Sequence, residues 1–224
     1  MKNIAFIPVR GGSKSIPLKN IKLLVNKPLV YWTAVAANNA KCIDKVIIAT
    51  DSLEIKKTVL SFNLNKVEIY DRNPKNATDT ASTESVILEY IEQRSLEDEI
   101  NLFLIQATSP LLKSKHIDEM YKTYINSNAD SALSVVRTKR FFWTEAGKSI
   151  NYDYKNRPRR QDFGGLLMEN GACYINKIKN IKKYKNRLSG KIVTYEMPEY
   201  TALEIDEPDD FMIIEKLMEK HKND

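Results

Sequence analysis

The chain has 224 residues, with 35 Lys and Arg against 29 Asp and Glu, for a formal charge of +6. Hydrophobic residues make up 42% and charged residues 29%, which excludes a disordered or collagen-like chain. The cations are interleaved with acids rather than gathered on one stripe, so the excess fits a site for small anions better than a nucleic-acid interface.

The length suits a single domain over residues 1–224 with an ample core. Apolar Ile4–Val9 reads as a buried strand running into a glycine-rich loop from Arg10 to Lys14. Residues 28–40 have helical composition, with Pro28 in the first turn. Lys45–Thr50 is a second buried strand closed by Asp51 and Ser52; Glu54–Ser61 suits a helix and Val67–Tyr70 a third strand. Ser82–Gln93 reads as helix, and Leu102–Ile105 as a strand leading into Gln106–Pro110. Ile117, Met120, Tyr121, Tyr124 and Ile125 form one helical stripe, and Ala132–Val136 is a further strand. Residues 172–175 and 192–195 are strand-like, and Pro208–Glu219 is an amphipathic helix with Asp206 near its start.

Alternating strands and helices predict a three-layer α/β/α sandwich around a mostly parallel sheet. Ligands of such sheets bind beyond the carboxyl ends of the strands. The polar segments after Val9, Thr50 and Ile105 therefore converge on one rim. Residues 137–169 break the rhythm, with Phe141, Phe142, Trp143, Tyr154 and the run Arg157–Arg160. They are predicted to form an inserted hairpin extension that makes contacts. Cys42 and Cys173 show no metal-binding spacing, which points to a reducing compartment. No apolar run reaches membrane-spanning length, and no signal peptide is expected before the first strand, so the expected location is the cytoplasm.

Between Arg10 and Asn20 lie Gly11, Gly12, Ser13, Lys14 and Lys19. The glycines let backbone N–H groups approach an anion, Ser13 adds a hydroxyl, and Arg10, Lys14 and Lys19 neutralise a polyphosphate. Neither P-loop nor GxGxxG spacing is present. Glu204 and Asp206 stand at i and i+2, so on an extended segment they share a face. There they hold Mg2+ through oxygen, or else form an acidic cap for the last helix. Gln106, Thr108 and Ser109 suit a hydroxyl-rich ligand. Asp79–Thr83 either caps the following helix or meets a base or phosphate at its N-terminus. His116 and His221 are expected in solvent. No nucleophile–base arrangement appears, so the residues point to an enzyme working by positioning and charge neutralisation, or to a nucleotide-binding module without turnover.

Taken in order, these segments resemble the acylneuraminate cytidylyltransferase family. The similarity rests on the loop 10–20, Thr50–Ser52, Asp79–Ser82, Gln106–Pro110, Ser131–Arg137, Arg157–Asp162 and Glu169–Tyr174. It implies a nucleotide-diphospho-sugar-transferase-like fold and transfer of CMP from CTP to a nine-carbon sugar acid, with loss of pyrophosphate. It implies that Arg10, Ser13 and Lys19 hold the triphosphate, with Gly11 and Gly12 in the same loop, and that Asn20 contacts the ribose. By the same resemblance Arg72 reads cytosine with Ser82 nearby, and Gln106, Thr108, Ser109 and Asn170 face the sugar. Arg160 is delivered across a homodimer interface made by residues 137–169, and Mg2+ sits on Asp206 and Glu204. The catalytic set is then Arg10, Lys19 and Asp206. Two positions depart from the family pattern: Glu204 where many members carry Asp, and Met168-Glu169 where some bacterial members carry arginine. The runner-up is a 3-deoxy-manno-octulosonate cytidylyltransferase. Among nine-carbon acids, N-acetylneuraminate, the deaminated nononate, legionaminate and pseudaminate all remain open.

Overall fold

In the computed structural model, residues 2–12, 15–78 and 80–221 are described. The strands are β1 (Asn3–Pro8), β2 (Leu23–Leu24), β3 (Lys27–Pro28), β4 (Lys45–Thr50), β5 (Val67–Asp71), β6 (Asn101–Ile105), β7 (Ser131–Thr138), β8 (Leu166–Lys177) and β9 (Ile192–Met197). The helices are α1 (Leu29–Asn39), α2 (Leu53–Leu60), α3 (Thr83–Gln93), α4 (Ser114–Asn126), α5 (Ile178–Tyr184) and α6 (Pro208–Lys220). The main sheet has the order β5-β4-β1-β6-β8-β7-β9. Strand β8 runs antiparallel to β6 and β7, and the other pairings in this sheet are parallel.

Strand alternation builds the layers. Ala5, Ile7, Val46, Ile48, Phe103 and Ile105 face one core, against α1, α2 and α4. Ile4, Phe6, Ile47, Leu102 and Leu104 face the other, against Val86, Ile87, Tyr90 and Ile91 of α3 and Ile178 and Ile181 of α5. Both faces are covered, which is why these strands read as unbroken apolar runs. A third cluster lies under the rim, where Ile16, Leu24, Leu29 and Leu111 meet Ile205 and then Phe211 and Ile214 of α6.

Strand β8 is longer than the sequence suggested, and α5 was not foreseen. The cause is a large bulge. Leu133 pairs with Tyr174 and Val135 with Glu169, so Ser134 alone stands opposite Asn170, Gly171, Ala172 and Cys173. Such a bulge erases the period-two pattern by which a strand is recognised. The Ser134 hydroxyl organises it, donating to Asn170 Oδ1 at 2.7 Å and accepting from the Cys173 amide at 2.9 Å. Gly171, at φ 68°, supplies the left-handed turn.

Segment 137–169 is a hairpin extension in part. Strands β7 and β8 continue pairing out to Thr138 and Leu166, and the intervening loop is largely irregular. Its aromatic side chains pack on one another: Phe141 lies 4.2 Å from Tyr152 and 5.0 Å from Phe163, ring centre to ring centre. Trp143, Tyr154 and Phe142 stay exposed, and Leu166, Leu167 and Met168 continue the apolar surface.

Two expectations on helices are corrected. Ile125 is exposed rather than part of the α4 stripe. His116 is buried, not solvated, at 2% exposure. It flanks the stripe one residue before Ile117, and its Nδ1 accepts from the Lys113 amide at 3.2 Å at the helix start. His221 stacks on Tyr200 with ring centres 3.8 Å apart.

Burial pushes the His116 imidazole down to about 4. The unfolded chain therefore binds the extra proton between its ordinary range near 6.5 and that value, so stability falls as pH drops through this window. The slope from this one group approaches about 1.4 kcal/mol per pH unit. Denaturant titrations of the native chain and of His116→Gln between pH 7 and 4 should show the variant with the shallower pH dependence.

Candidate functional site

The rim holds what the strand ends bring to it. Arg10 follows β1, Asp51 and Ser52 follow β4, Arg72 follows β5, and Gln106 follows β6. Because β8 is antiparallel, its bulge lies at the same end, where the Gln106 amide donates to the Ala172 carbonyl at 3.3 Å. Here a cavity of about 270 Å³ opens. Arg10, Lys19 and Asn20 line one side, Arg72 and Ser82 another, and Gln106 and Thr108 a third.

The loop after β1 is braced from both flanks. Asn20 Nδ2 donates to the Arg10 carbonyl at 3.1 Å and closes the loop on itself. Leu18 takes the left-handed conformation, φ 50°, just before Lys19, a shape a branched residue keeps only where its surroundings hold it. Lys19 Nζ reaches the Ile205 carbonyl at 2.9 Å and Asp206 Oδ1 at 3.2 Å. Ser15 Oγ donates to the Asp206 carbonyl at 2.7 Å. Gly11 has a different task from the one expected. Its amide donates to Asp51 Oδ1 at 3.0 Å and so is turned toward the β4 end rather than toward an anion. A Cβ at Gly11 would stand 2.9 Å from Ser52 Cβ, whereas one at Gly12 would meet nothing within 4 Å. Ser13, Lys14 and Asp79 lie outside the described residues.

The carboxylate pair lies outside helix and strand, on the segment that leads into α6. Ile205 is fully buried, and its amide donates to the Thr108 carbonyl at 2.8 Å. Glu204 and Asp206 thus project to the opposite side. Asp206 is not the cap of α6. Glu207 is the residue at that position, and Asp210 Oδ2 accepts from the amides of Asp206 and Glu207 at 2.8 and 2.7 Å. The longer Glu204 is accommodated by a hollow at Gly171, where a Cβ would come 3.3 Å from Glu204 Oε2. Burial, and then the Asp206 charge beside it, raises the Glu204 carboxyl above its ordinary range. Two neighbouring carboxylates supply the hard oxygen ligands that a divalent cation takes. No group of three or more candidate ligands occurs among the described residues, so phosphate and water oxygens would complete the shell.

Arg72 is 7% exposed, and its Nε has no hydrogen-bond partner among the described residues. Burial depresses its pKa, against the favourable charges of Asp51 and Glu89. Ser82 caps α3, accepting from the Ser85 amide at 3.1 Å, and still faces the cavity. Ser82 is thus the helix cap that the 79–83 turn was read to supply, and it stands in the cavity wall.

Three expected site residues lie elsewhere. Ser109 is 3% exposed, and its hydroxyl has no partner among the described residues. Asn170 is buried, and its side chain is engaged by Ser134, Thr201 and Met197, so it shapes the bulge rather than facing the cavity. Arg160 is exposed, lies 3.4 Å from Glu199, and lines a separate basic cleft of about 520 Å³ with Arg140, Arg157 and Arg159.

The model of a family described as Cytidylyltransferase matches residues 4–223. The chain is 38% identical over 95% of its length to N-acylneuraminate cytidylyltransferase A of Danio rerio, covering 50% of that protein. It is 30% identical over 95% of its length to N-acylneuraminate cytidylyltransferase of Streptococcus agalactiae serotype III (strain NEM316), covering 52% of it. The chain thus spans about half the length of these curated relatives. A CMP:2-keto-3-deoxy-manno-octonic acid synthetase solved with CTP superposes with a TM-score of 0.73 at 16% identity, over 99% of this chain and 100% of that one. That likeness bears out the nucleotide-diphospho-sugar-transferase-like sandwich.

Gly11→Ala should displace the loop and lower the melting temperature, and Ser52→Gly in the same chain should recover most of the loss by removing the clashing Cβ. Loss of the Ser52 cap to Gly costs only a few tenths of a kcal/mol. Melting curves of the native chain, the single variant and the double variant check this; equal melting temperatures in all three would contradict the packing argument.

Proposed function

The chain belongs to the cytidylyltransferase family, and on that premise we propose that it transfers CMP from CTP to a nine-carbon sialic-type sugar acid, releasing pyrophosphate. The observation that carries this reading is the convergence of Arg10, Lys19, Asn20, Arg72, Ser82, Gln106 and Thr108 on one cavity beside the Glu204–Asp206 pair. The anomeric 2-hydroxyl oxygen attacks the α-phosphorus in line. A new P–O bond forms as the bond to the β-phosphate bridge breaks, and the hydroxyl proton is released.

Arg10 and Lys19 neutralise the triphosphate and the pyrophosphate that leaves. Asn20 turns toward the ribose. Arg72 is a pure donor, so it matches the adjacent O2 and N3 acceptors of cytosine and is opposed by the N3–H of uracil. Gln106 and Thr108 meet the sugar hydroxyls. Asp206, with Glu204, would hold Mg2+, which when bound offsets the charge developing on the phosphates.

The 137–169 extension, with its exposed aromatic and aliphatic surface, is read as the homodimer contact. Arg160 then serves the partner's sugar site, which accords with its absence from the lining of its own chain's cavity. No helix among the described residues is long and apolar enough to cross a membrane. We place the protein in the cytoplasm, with no nucleic acid or membrane as partner.

A pyrophosphate-release assay of CTP against N-acetylneuraminate, the deaminated nononate, legionaminate and pseudaminate should give turnover with at least one, dependent on Mg2+ and strongly favouring CTP over UTP. Asp206→Asn should lower turnover by about 10²–10³-fold, the usual cost of one electrostatic stabiliser. No release with any acid, or an equal rate with UTP, would defeat the reading.

Mixing Asp206→Asn and Arg160→Ala chains, each strongly impaired alone, should raise activity above that of either, because one site of the heterodimer carries neither lesion. Mixed dimers that form without that gain would confine Arg160 to its own subunit.

A further inference from the structure

The cavity wall that carries Arg72 has little apolar support. Tyr70, two residues earlier, is anchored in the core, its ring 5.0 Å from that of Tyr90. Beyond it the chain leaves the core. Among the described residues, none from Asn73 to Thr78 belongs to a hydrophobic cluster, and Asn73, Pro74 and Lys75 are exposed. Yet this segment is ordered into a short 3-10 turn over Pro74–Asn76, and it borders the cavity at Arg72 and Thr78.

A single carboxylate on α3 gathers the segment. Glu89 Oε1 accepts from the Tyr70 hydroxyl at 2.6 Å and from the Asn73 amide at 2.9 Å, and Oε2 accepts from Asn76 Nδ2. The first contact ties Glu89 to the end of β5. The other two hold the turn at both of its ends. Asn76 in turn offers its carbonyl to the Arg72 guanidinium. The chain of contacts therefore runs from the helix, through the turn, to the cation in the cavity wall. Glu89 also supplies negative charge toward Arg72, as does Asp51, while Arg10 opposes it. These hydrogen bonds hold the Glu89 carboxyl below its ordinary range despite partial burial, so it stays ionised at neutral pH.

Arg72 is left with a buried Nε that nothing among the described residues satisfies. A buried donor without a partner is costly, and one in a cavity wall is relieved when a ligand brings an acceptor. Its usefulness depends on direction, because a guanidinium discriminates by the fixed geometry of its donors.

We propose that Glu89 is the positioning residue for nucleobase recognition: it holds Arg72 in the orientation that meets the base and touches no substrate itself. The proposal rests on the reading of this cavity as a CTP site.

The test is calorimetric titration of CTP and UTP, in Mg2+, into the native protein, Glu89→Gln, Glu89→Ala, Arg72→Ala and the double variant Glu89→Gln/Arg72→Ala. Circular dichroism melting identifies chains that fold. Glu89→Gln keeps the shape and one acceptor, so it secures the test if Glu89→Ala does not fold. CTP affinity is expected to fall about tenfold in Glu89→Gln, the size of one lost charge-assisted contact. The margin of CTP over UTP should shrink with it. In the Arg72→Ala background the same change should alter CTP affinity less than twofold, because coupled residues are non-additive.

A residue that only stabilises the fold would cost the same in both backgrounds, and that additivity would overturn the proposal. So would CTP affinity and CTP/UTP preference that stay native in Glu89→Gln. A native protein that binds CTP no better than UTP would instead sink the nucleotide reading, and this inference with it.

Discussion

One buried side chain holds the two halves of this site together. Ile205 sits at zero exposure in the cluster under the rim, and an extended backbone that points it inward must point Glu204 and Asp206 outward. Its own amide is taken by Thr108 and its carbonyl by Lys19. The loop after β1, the segment after β6 and the carboxylate pair are therefore set relative to one another by backbone groups of a single residue. Burial of that side chain contributes on the order of 2–3 kcal/mol. The larger consequence is geometric, since a displaced Ile205 would move the Lys19 ammonium and both carboxylates together.

Around that anchor the site keeps charges that the fold alone does not balance. Glu204 is raised by burial and by Asp206, and Arg72 is buried with one donor unanswered. Stable interiors pair such groups, and their persistence at one rim marks where a ligand completes the electrostatics. The signs are apportioned: cations at Arg10, Lys19 and Arg72, carboxylates at 204 and 206. A polyphosphate alone would gain from the first group and be repelled by the second. A polyphosphate carrying a divalent cation satisfies both.

Much of this was legible in the sequence for identifiable reasons. The parallel strands β1, β4 and β6 are buried on both faces and so appear as apolar runs, and the polar residues after them fall on the rim by topology. The i, i+2 spacing of Glu204 and Asp206 puts them on one face of an extended segment. What escaped notice depended on contacts distant in sequence. The Ser134–Asn170 bulge disguised β8, and the same bulge converts Asn170 from a presumed ligand contact into a strut. Gly11 read as an open approach to phosphate, yet its amide answers Asp51, forty residues away. His116 read as solvated on a polar helix face, although it is buried in the fold. Glu89 gave no local signal at all, since one acid on the face of an amphipathic helix resembles every other until its partners are seen.

The two ends of the cavity differ in completeness, and the difference bears on assembly. At the end proposed for the nucleotide, Asn20 braces Arg10, Asn76 meets Arg72 and Ser82 caps α3, all within one chain. At the end proposed for the sugar, Gln106 and Thr108 reach the cavity, Ser109 is buried, and Arg160 faces a different cleft. An acidic sugar needs a cation for its carboxylate, and Arg10, Lys19 and Arg72 are assigned to the nucleotide. Among the described residues, Arg159 of the basic, aromatic extension meets Asp162 and Arg160 meets Glu199, while Arg140 and Arg157 form no salt bridge. A second copy that lends one of these arginines would complete the sugar end, and it would cover the apolar surface of the same extension in one step.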